Sequence, residues 1–365
     1  MPAYTSPASG TGLPSSPDGV TTAAVVDLRS DTVTLPTPEM RQAMATAEVG
    51  DDFLGEDPTA RRLEERVNQL FGAEASVYVP SGRMANLIGL QALTEPGDEV
   101  LCTRNAHFVH YEGAALAAAC GAQPRPLPDR RGVLDPEDVA SAVRPPLDYL
   151  PRTRVVAVEN THNQEGGAVY PIDDLQALRK VSDEHGLRLY MDGARIFNAS
   201  TASGVPVSEY CALTDGMMFS FSKGLGAPVG SMVVGPAAFI TRARRFRKLH
   251  GGGMRQVGIL AAACLVALDT MVDRLAEDHA KAKRLAEGIA ALRDGAVNVD
   301  EVETNIVMVR TQPLGFTPEG FAEAMARRGV KFFTFGPGTV RMVTHKDVSA
   351  DGIEMALEQI AGVLA

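Results

Sequence analysis

Short apolar runs alternate with stretches of helical spacing along most of the chain. SVYVP (76–80), EVLC (99–102), RVVAVEN (154–160), LRLYMD (187–192), GMMFSFS (216–222) and SMVVG (231–235) read as strands, and ANLIGLQALT, PEDVASAVR and IDDLQALRKVSDEHG between them read as helices. Strands apolar on both faces and separated by helices predict an α/β fold with a mostly parallel sheet covered on both sides. From 257 to 292 the pattern reads as one long helix, all-apolar at its start and amphipathic at its end, which suits a connector leaving a large domain. NIVMVR, VKFFTF, TVRMVTH and a terminal helix then predict a small α+β domain. The expected organisation is a tail over 1–24, a large domain over 25–275 and a small C-terminal domain over 276–365.

The tail, rich in Ser, Thr, Pro, Gly and Ala, lacks the basic start and apolar block of a signal peptide and is expected to be disordered. A hydrophobic fraction of 45% over 365 residues describes an ordinary globular protein. The formal charge of −10 argues against nucleic-acid and anionic-membrane partners, which recruit an excess of Lys and Arg. The basic run ITRARRFRKLH (240–250) reads as a solvated helix face or a subunit contact. No uncharged stretch is long enough to span a bilayer. Cys102, Cys120, Cys211 and Cys264 lie far apart, as reduced core cysteines of a cytoplasmic protein would.

In a parallel sheet, ligands bind beyond the carboxyl ends of the strands, so the residues there matter most. Ser81-Gly82-Arg83 follows the first strand and opens a helix; such a turn offers free N–H groups and a positive dipole end to a phosphate, although an ordinary Ser N-cap has the same look. His107 and His162 lie just past two other strands, where histidine can stack on a flat group, move a proton or serve the fold alone. Asp192 ends an apolar strand, where a carboxylate needs a cation or hydrogen bonds; capping the next turn would also explain it. Lys223 leaves the following strand into a glycine-rich turn, and reads either as a surface lysine or as a covalent one of lowered pKa. Pyridoxal phosphate needs a Schiff-base lysine, an acid partner for its ring nitrogen, a phosphate cradle and cover for the ring face; Lys223, Asp192, the 81–83 turn and His107 supply all four. No metal site is expected.

Two competing motifs share the lysine's neighbourhood. Gly224-Leu225-Gly226-Ala227-Pro228-Val229-Gly230 is one residue out for a dinucleotide fingerprint. Ser220-Phe221-Ser222-Lys223 matches S-x-x-K, which would make Ser220 an acyl-transfer nucleophile, but its companion motifs are missing.

The motifs DLRSDTVTLPTPEM, VGDDFLGEDPT, PSGRMANL, AHFVHYEGA, ENTHNQEGG, MDGARIFNA, SFSKGLGAPVGS, GGGMRQ and VRMVTH run collinearly through nearly everything after the tail. In them the chain resembles the low-specificity L-threonine aldolases of the fold-type-I pyridoxal phosphate enzymes. The resemblance implies an aspartate-aminotransferase-like fold with a seven-stranded, mostly parallel sheet. It also implies retro-aldol cleavage of threonine, allo-threonine or a related β-hydroxy-α-amino acid to glycine and an aldehyde. By the same resemblance Lys223 bonds the cofactor, Asp192 pairs with its ring nitrogen and His107 stacks on the ring. Ser81, Gly82 and Arg83 hold the phosphate with Arg255 of a neighbouring subunit, in a homotetramer built as a dimer of dimers. Ser30, Arg195 and Arg341 anchor the substrate carboxylate, Arg195 also lies at the cofactor, and His162 handles the β-hydroxyl proton. Two positions depart from the family pattern: Arg83 stands where threonine is usual, and Leu54 where tyrosine is common. The loss of that tyrosine hydroxyl invites a related enzyme for a bulkier substrate such as phenylserine. An S-x-x-K acyl hydrolase and an inactive cofactor-binding protein complete the alternatives.

Overall fold

The computed structural model describes residues 25–365; the expected tail lies outside them. Seven strands form the central sheet: β1 Ala75–Val79, β2 Asp98–Thr103, β3 Gln123–Leu127, β4 Arg152–Glu159, β5 Arg188–Asp192, β6 Gly216–Ser220 and β7 Ser231–Gly235. Their order is β1-β7-β6-β5-β4-β2-β3, and only β7 runs antiparallel to its neighbours. The carboxyl ends of β1 to β6 therefore share one edge. The apolar runs of the sequence end within two residues of the observed strands. One strand, β3, was hidden because QPRPL carries two prolines and no apolar alternation. Pro124 and Pro126 are tolerated since β3 is an edge strand, paired only with β2.

Helices cover both faces. Among them α1, Gly82–Leu93, lies over β6 and β7, where Val77, Ile88, Met218 and Val233 share one buried cluster; Phe71, Phe197, Phe219 and Phe221 belong to the core of the opposite face. A third core belongs to the C-terminal sheet, β8 Ile306–Arg310, β9 Phe333–Thr334 and β10 Thr339–Val343, in the order β8-β10-β9 and antiparallel. Val26–Asp27 pairs parallel with Val330–Lys331, and Val26 and Leu28 pack into this C-terminal core.

The single long helix expected over 257–292 is two helices, α2 Gly258–Thr270 and α3 Leu275–Leu292. No proline or glycine separates them. The break follows from the two cores they serve: Ala261, Ala267 and Leu268 of α2 belong to the central core, while Ala282, Leu285 and Ile289 of α3 belong to the C-terminal one. A straight rod cannot present its apolar side to both.

Candidate active site

Asp192 is the last residue of β5 and is buried. Its Oδ1 accepts from the Ala194 amide (3.0 Å) and its Oδ2 from Asn86 Nδ2 (2.6 Å). Asn86 projects from the second turn of α1, donates also to Glu112 Oε1 (2.8 Å), and accepts from the Tyr190 hydroxyl (3.1 Å). Glu112 Oε1 in turn lies 2.8 Å from His107 Nδ1. Ligand-type atoms of His107, Glu112 and Asp192 thus fall within 4.8 Å of one another, joined by the amide of Asn86. Burial holds the Glu112 carboxyl above the usual range; the His107 bond opposes this and the Asp192 charge adds to it. Burial alone would lower the His107 imidazole, but the Glu112 bond and the charges of Asp192 and Glu159 carry it above its ordinary value.

Lys223 stands three residues beyond β6. Its carbonyl accepts from Thr34 Oγ1 (3.1 Å) and from the Gly226 amide (2.9 Å), which pins the backbone of the turn. Burial, then the Arg195 charge, lowers its ammonium pKa, while Asp192, Asp31 and Glu159 pull the other way. A lysine so placed is readier to act as a free amine.

Arg195 is buried and held by a fork: its Nε donates to Asp31 Oδ2 (2.8 Å) and its Nη2 to Asp31 Oδ1 (2.7 Å), while Nη1 reaches Asn163 Oδ1 (3.2 Å). Its planar edge is therefore already engaged by a carboxylate of the chain. Arg341, in the middle of β10, is equally buried, yet among the described residues no carboxylate pairs with it. Its Nη1 donates to Asn163 Oδ1 (2.8 Å), its Cζ sits 4.6 Å over the Phe335 ring, and its Nε is buried with no partner among the described residues. Burial, then the Arg195 charge, brings its pKa down to about 10. Ser30 lies beside this pair, its Oγ accepting from Thr32 and directed to Asp31 Oδ1 (3.4 Å).

Ser81 caps α1 by accepting from the Met84 amide (3.3 Å). That leaves the Gly82 and Arg83 amides with no acceptor among the described residues, at the positive end of a three-turn helix. The Arg83 side chain is exposed. Arg255 is also exposed, and its Nη1 donates to Asp51 Oδ2 (2.8 Å). Ser220, the S-x-x-K serine, ends β6; its Oγ is buried and accepts from Ser231 (3.0 Å). An extended strand end does not bring Ser220 and Lys223 together as one helical turn would.

His162 is buried beneath the turn at Gly132, with Nε2 3.0 Å from Thr103 Oγ1 and Nδ1 enclosed with no partner among the described residues. Glu159 ties the rim together: its Oε2 accepts from the His107 amide (2.8 Å) and its Oε1 from the Asn163 amide (2.8 Å). Asp31, Asn86, Glu112, Glu159 and Asn163 all escaped the reading of the sequence as functional groups. Each lies inside a motif that already carried another residue, so closeness to those residues was the available signal.

A family model described as beta-eliminating lyase matches residues 27–312. The low-specificity L-threonine aldolase 1 of Arabidopsis thaliana is 41% identical over 337 residues, covering 91% of this chain and 94% of its own. Among solved structures, the threonine aldolase of Leishmania major superposes with a TM-score of 0.80 at 21% identity, over 93% of this chain and all of its own length. An aspartate aminotransferase of Thermus thermophilus gives a TM-score of 0.69 at 21% identity, over 93% of this chain and 92% of its own. The fold is the aspartate-aminotransferase-like fold expected from the sequence.

Proposed function

The chain belongs to the beta-eliminating lyase family, and we propose on that premise that it is a pyridoxal-phosphate-dependent aldehyde-lyase cleaving L-threonine, L-allo-threonine or a related β-hydroxy-α-amino acid to glycine and an aldehyde. The observation that carries this reading is Asp192. It is a buried carboxylate, only 3% exposed, that forms no ion pair among the described residues, one strand away from a lysine of lowered pKa. A buried carboxylate without a cation is costly, and a protonated ring nitrogen would complete it. The remaining groups suit the same cofactor: Lys223 to bond it, His107 to cover its ring, and the free Gly82 and Arg83 amides to receive its phosphate.

When bound, the cofactor supplies an electron sink for the carbon from which the aldehyde departs. The chain's own residues do the rest. Arg341, a buried cation that no carboxylate among the described residues pairs with, takes the substrate carboxylate with Ser30 at its side. Fixing that carboxylate orients the Cα–Cβ bond, which is catalysis by positioning. Arg195, engaged by Asp31, contributes charge and shape beside Lys223. His162, held at Nε2 by Thr103, is the residue assigned to the β-hydroxyl proton. The reading extends to a cytoplasmic homotetramer supplying glycine, in which the exposed Arg255 reaches the phosphate of a neighbouring subunit.

Leu54, 63% exposed, supports a second preference within this class, for bulkier apolar substituents. The test is the absorption spectrum of protein purified with pyridoxal phosphate, followed by glycine and then by threonine, allo-threonine and phenylserine. A visible band that glycine shifts, that Lys223→Ala abolishes, and that accompanies aldehyde release is the expected result. A colourless protein, or a band without cleavage of any of the three, overturns the reading. Faster release of benzaldehyde than acetaldehyde assigns the bulkier preference.

A further inference from the structure

Two buried guanidiniums meet one amide oxygen. Arg195 Nη1 and Arg341 Nη1 both donate to Asn163 Oδ1, at 3.2 and 2.8 Å. Arg195 stands three residues past the end of β5, at the start of the helix Ile196–Ser203, and Arg341 lies in the C-terminal sheet; like charges at this range repel. Asp31 pairs with Arg195, whereas among the described residues no carboxylate forms an ion pair with Arg341. Asn163 is itself fixed from behind: its backbone N–H donates to Glu159 Oε1, and the same carboxylate receives the His107 amide through Oε2. Its side-chain Nδ2 donates to no acceptor among the described residues, on a side chain whose oxygen already faces Arg341.

We propose that Asn163 is the positioning residue that sets where the substrate's carboxylate binds, its oxygen holding Arg341 in place and its Nδ2 donating to the carboxylate that Arg341 receives. The assignment rests on the aldolase reading for the identity of the substrate. An amide suits this place because it accepts from a guanidinium without cancelling its charge, whereas an aspartate would occupy Arg341 with a carboxylate of the chain's own. Through Glu159 the same residue is tied to the backbone of His107, so the carboxylate anchor and the ring-facing histidine share one carboxylate.

The test uses holoenzyme, with calorimetric titration of glycine and of glycinamide, which lacks the carboxylate. Asn163→Asp is expected to weaken glycine roughly tenfold or more, the scale of one charged hydrogen bond, while leaving glycinamide unchanged. Its melting temperature is expected to hold or rise, because the new carboxylate sits between two cations. Asn163→Ala serves as the second variant: it too is expected to weaken glycine selectively, with the unliganded absorption band unaltered. Equal weakening of glycine and glycinamide, or a lower melting temperature with no loss of discrimination, marks a merely structural residue and overturns the proposal. A wild type that binds glycine but cleaves no β-hydroxy amino acid defeats the aldolase reading instead, and the glycine–glycinamide contrast still decides the role of Asn163.

Discussion

The Asp31–Arg195 pair shows how much of the site depends on pairings that no local sequence pattern encodes. Asp31 is fully buried, and although burial opposes ionisation, the Arg195 charge and bonds, with Lys223 and Arg341 beyond, hold its carboxyl well below the usual range. A carboxyl whose folded pKa is depressed contributes stability that is present above its unfolded value near pH 4 and is lost as pH falls toward the folded one. Asp31→Asn should therefore destabilise the protein by about 3–5 kcal/mol at neutral pH, by leaving Arg195 as a buried unpaired charge. The deficit against wild type should shrink in urea melts taken below about pH 4; a difference independent of pH would contradict the ion pair. From the sequence, Arg195 and Arg341 read alike as carboxylate anchors. The structure separates them, since one meets a carboxylate of the chain and the other does not. That distinction depends on residues 164 positions apart meeting in space, which local spacing does not encode.

At the scale of elements, the strand ends were legible because parallel strands buried on both faces leave continuous apolar runs. The depth of the site was not. It depends on α1 crossing the sheet closely enough for Asn86 to reach Asp192, and Gly89 permits this: a Cβ there would stand 2.6 Å from the Tyr190 hydroxyl. Tyr190 is also the donor to Asn86. Gly89→Ala, otherwise favourable in a helix, should cost about 1–3 kcal/mol from overpacking. It should also weaken cofactor retention as α1 lifts from β5, read by dialysis of the holoenzyme and by thermal melts. A stabilised variant with unchanged retention would show that the helix tolerates the added methyl. The split between α2 and α3 was illegible for a similar reason: residues 271–274 hold no helix breaker, and the turn is imposed by two cores pulling in different directions.

At the scale of the whole molecule, α3 is the joint between the cores, and it bears on the lysine. His279 of α3 lies 3.1 Å from Asn198 Nδ2, and the Asn198 side chain packs beside Gly224, next to Lys223. Burial pushes the His279 imidazole down to about 4, with Asp278 resisting. A histidine that stays neutral in the fold but takes up a proton when unfolded costs stability as pH falls below about 6.5 and keeps costing until about 4. Wild type should accordingly lose up to a few kcal/mol across that window, on a scale of about 1.4 kcal/mol per pH unit. His279→Gln, which keeps a polar partner for Asn198, should flatten that part of the profile in denaturant titrations at stepped pH. An unaltered slope would place the acid sensitivity elsewhere.

The pairing of Val26–Asp27 with Val330–Lys331 has a temporal consequence. On a ribosome Val26–Asp27 emerges hundreds of residues before the strand it pairs with, and Ser30 and Asp31 emerge with it. The C-terminal core that Val26 and Leu28 enter cannot be completed until Val330–Lys331 has been made, so the segment that carries Asp31 to Arg195 is secured late.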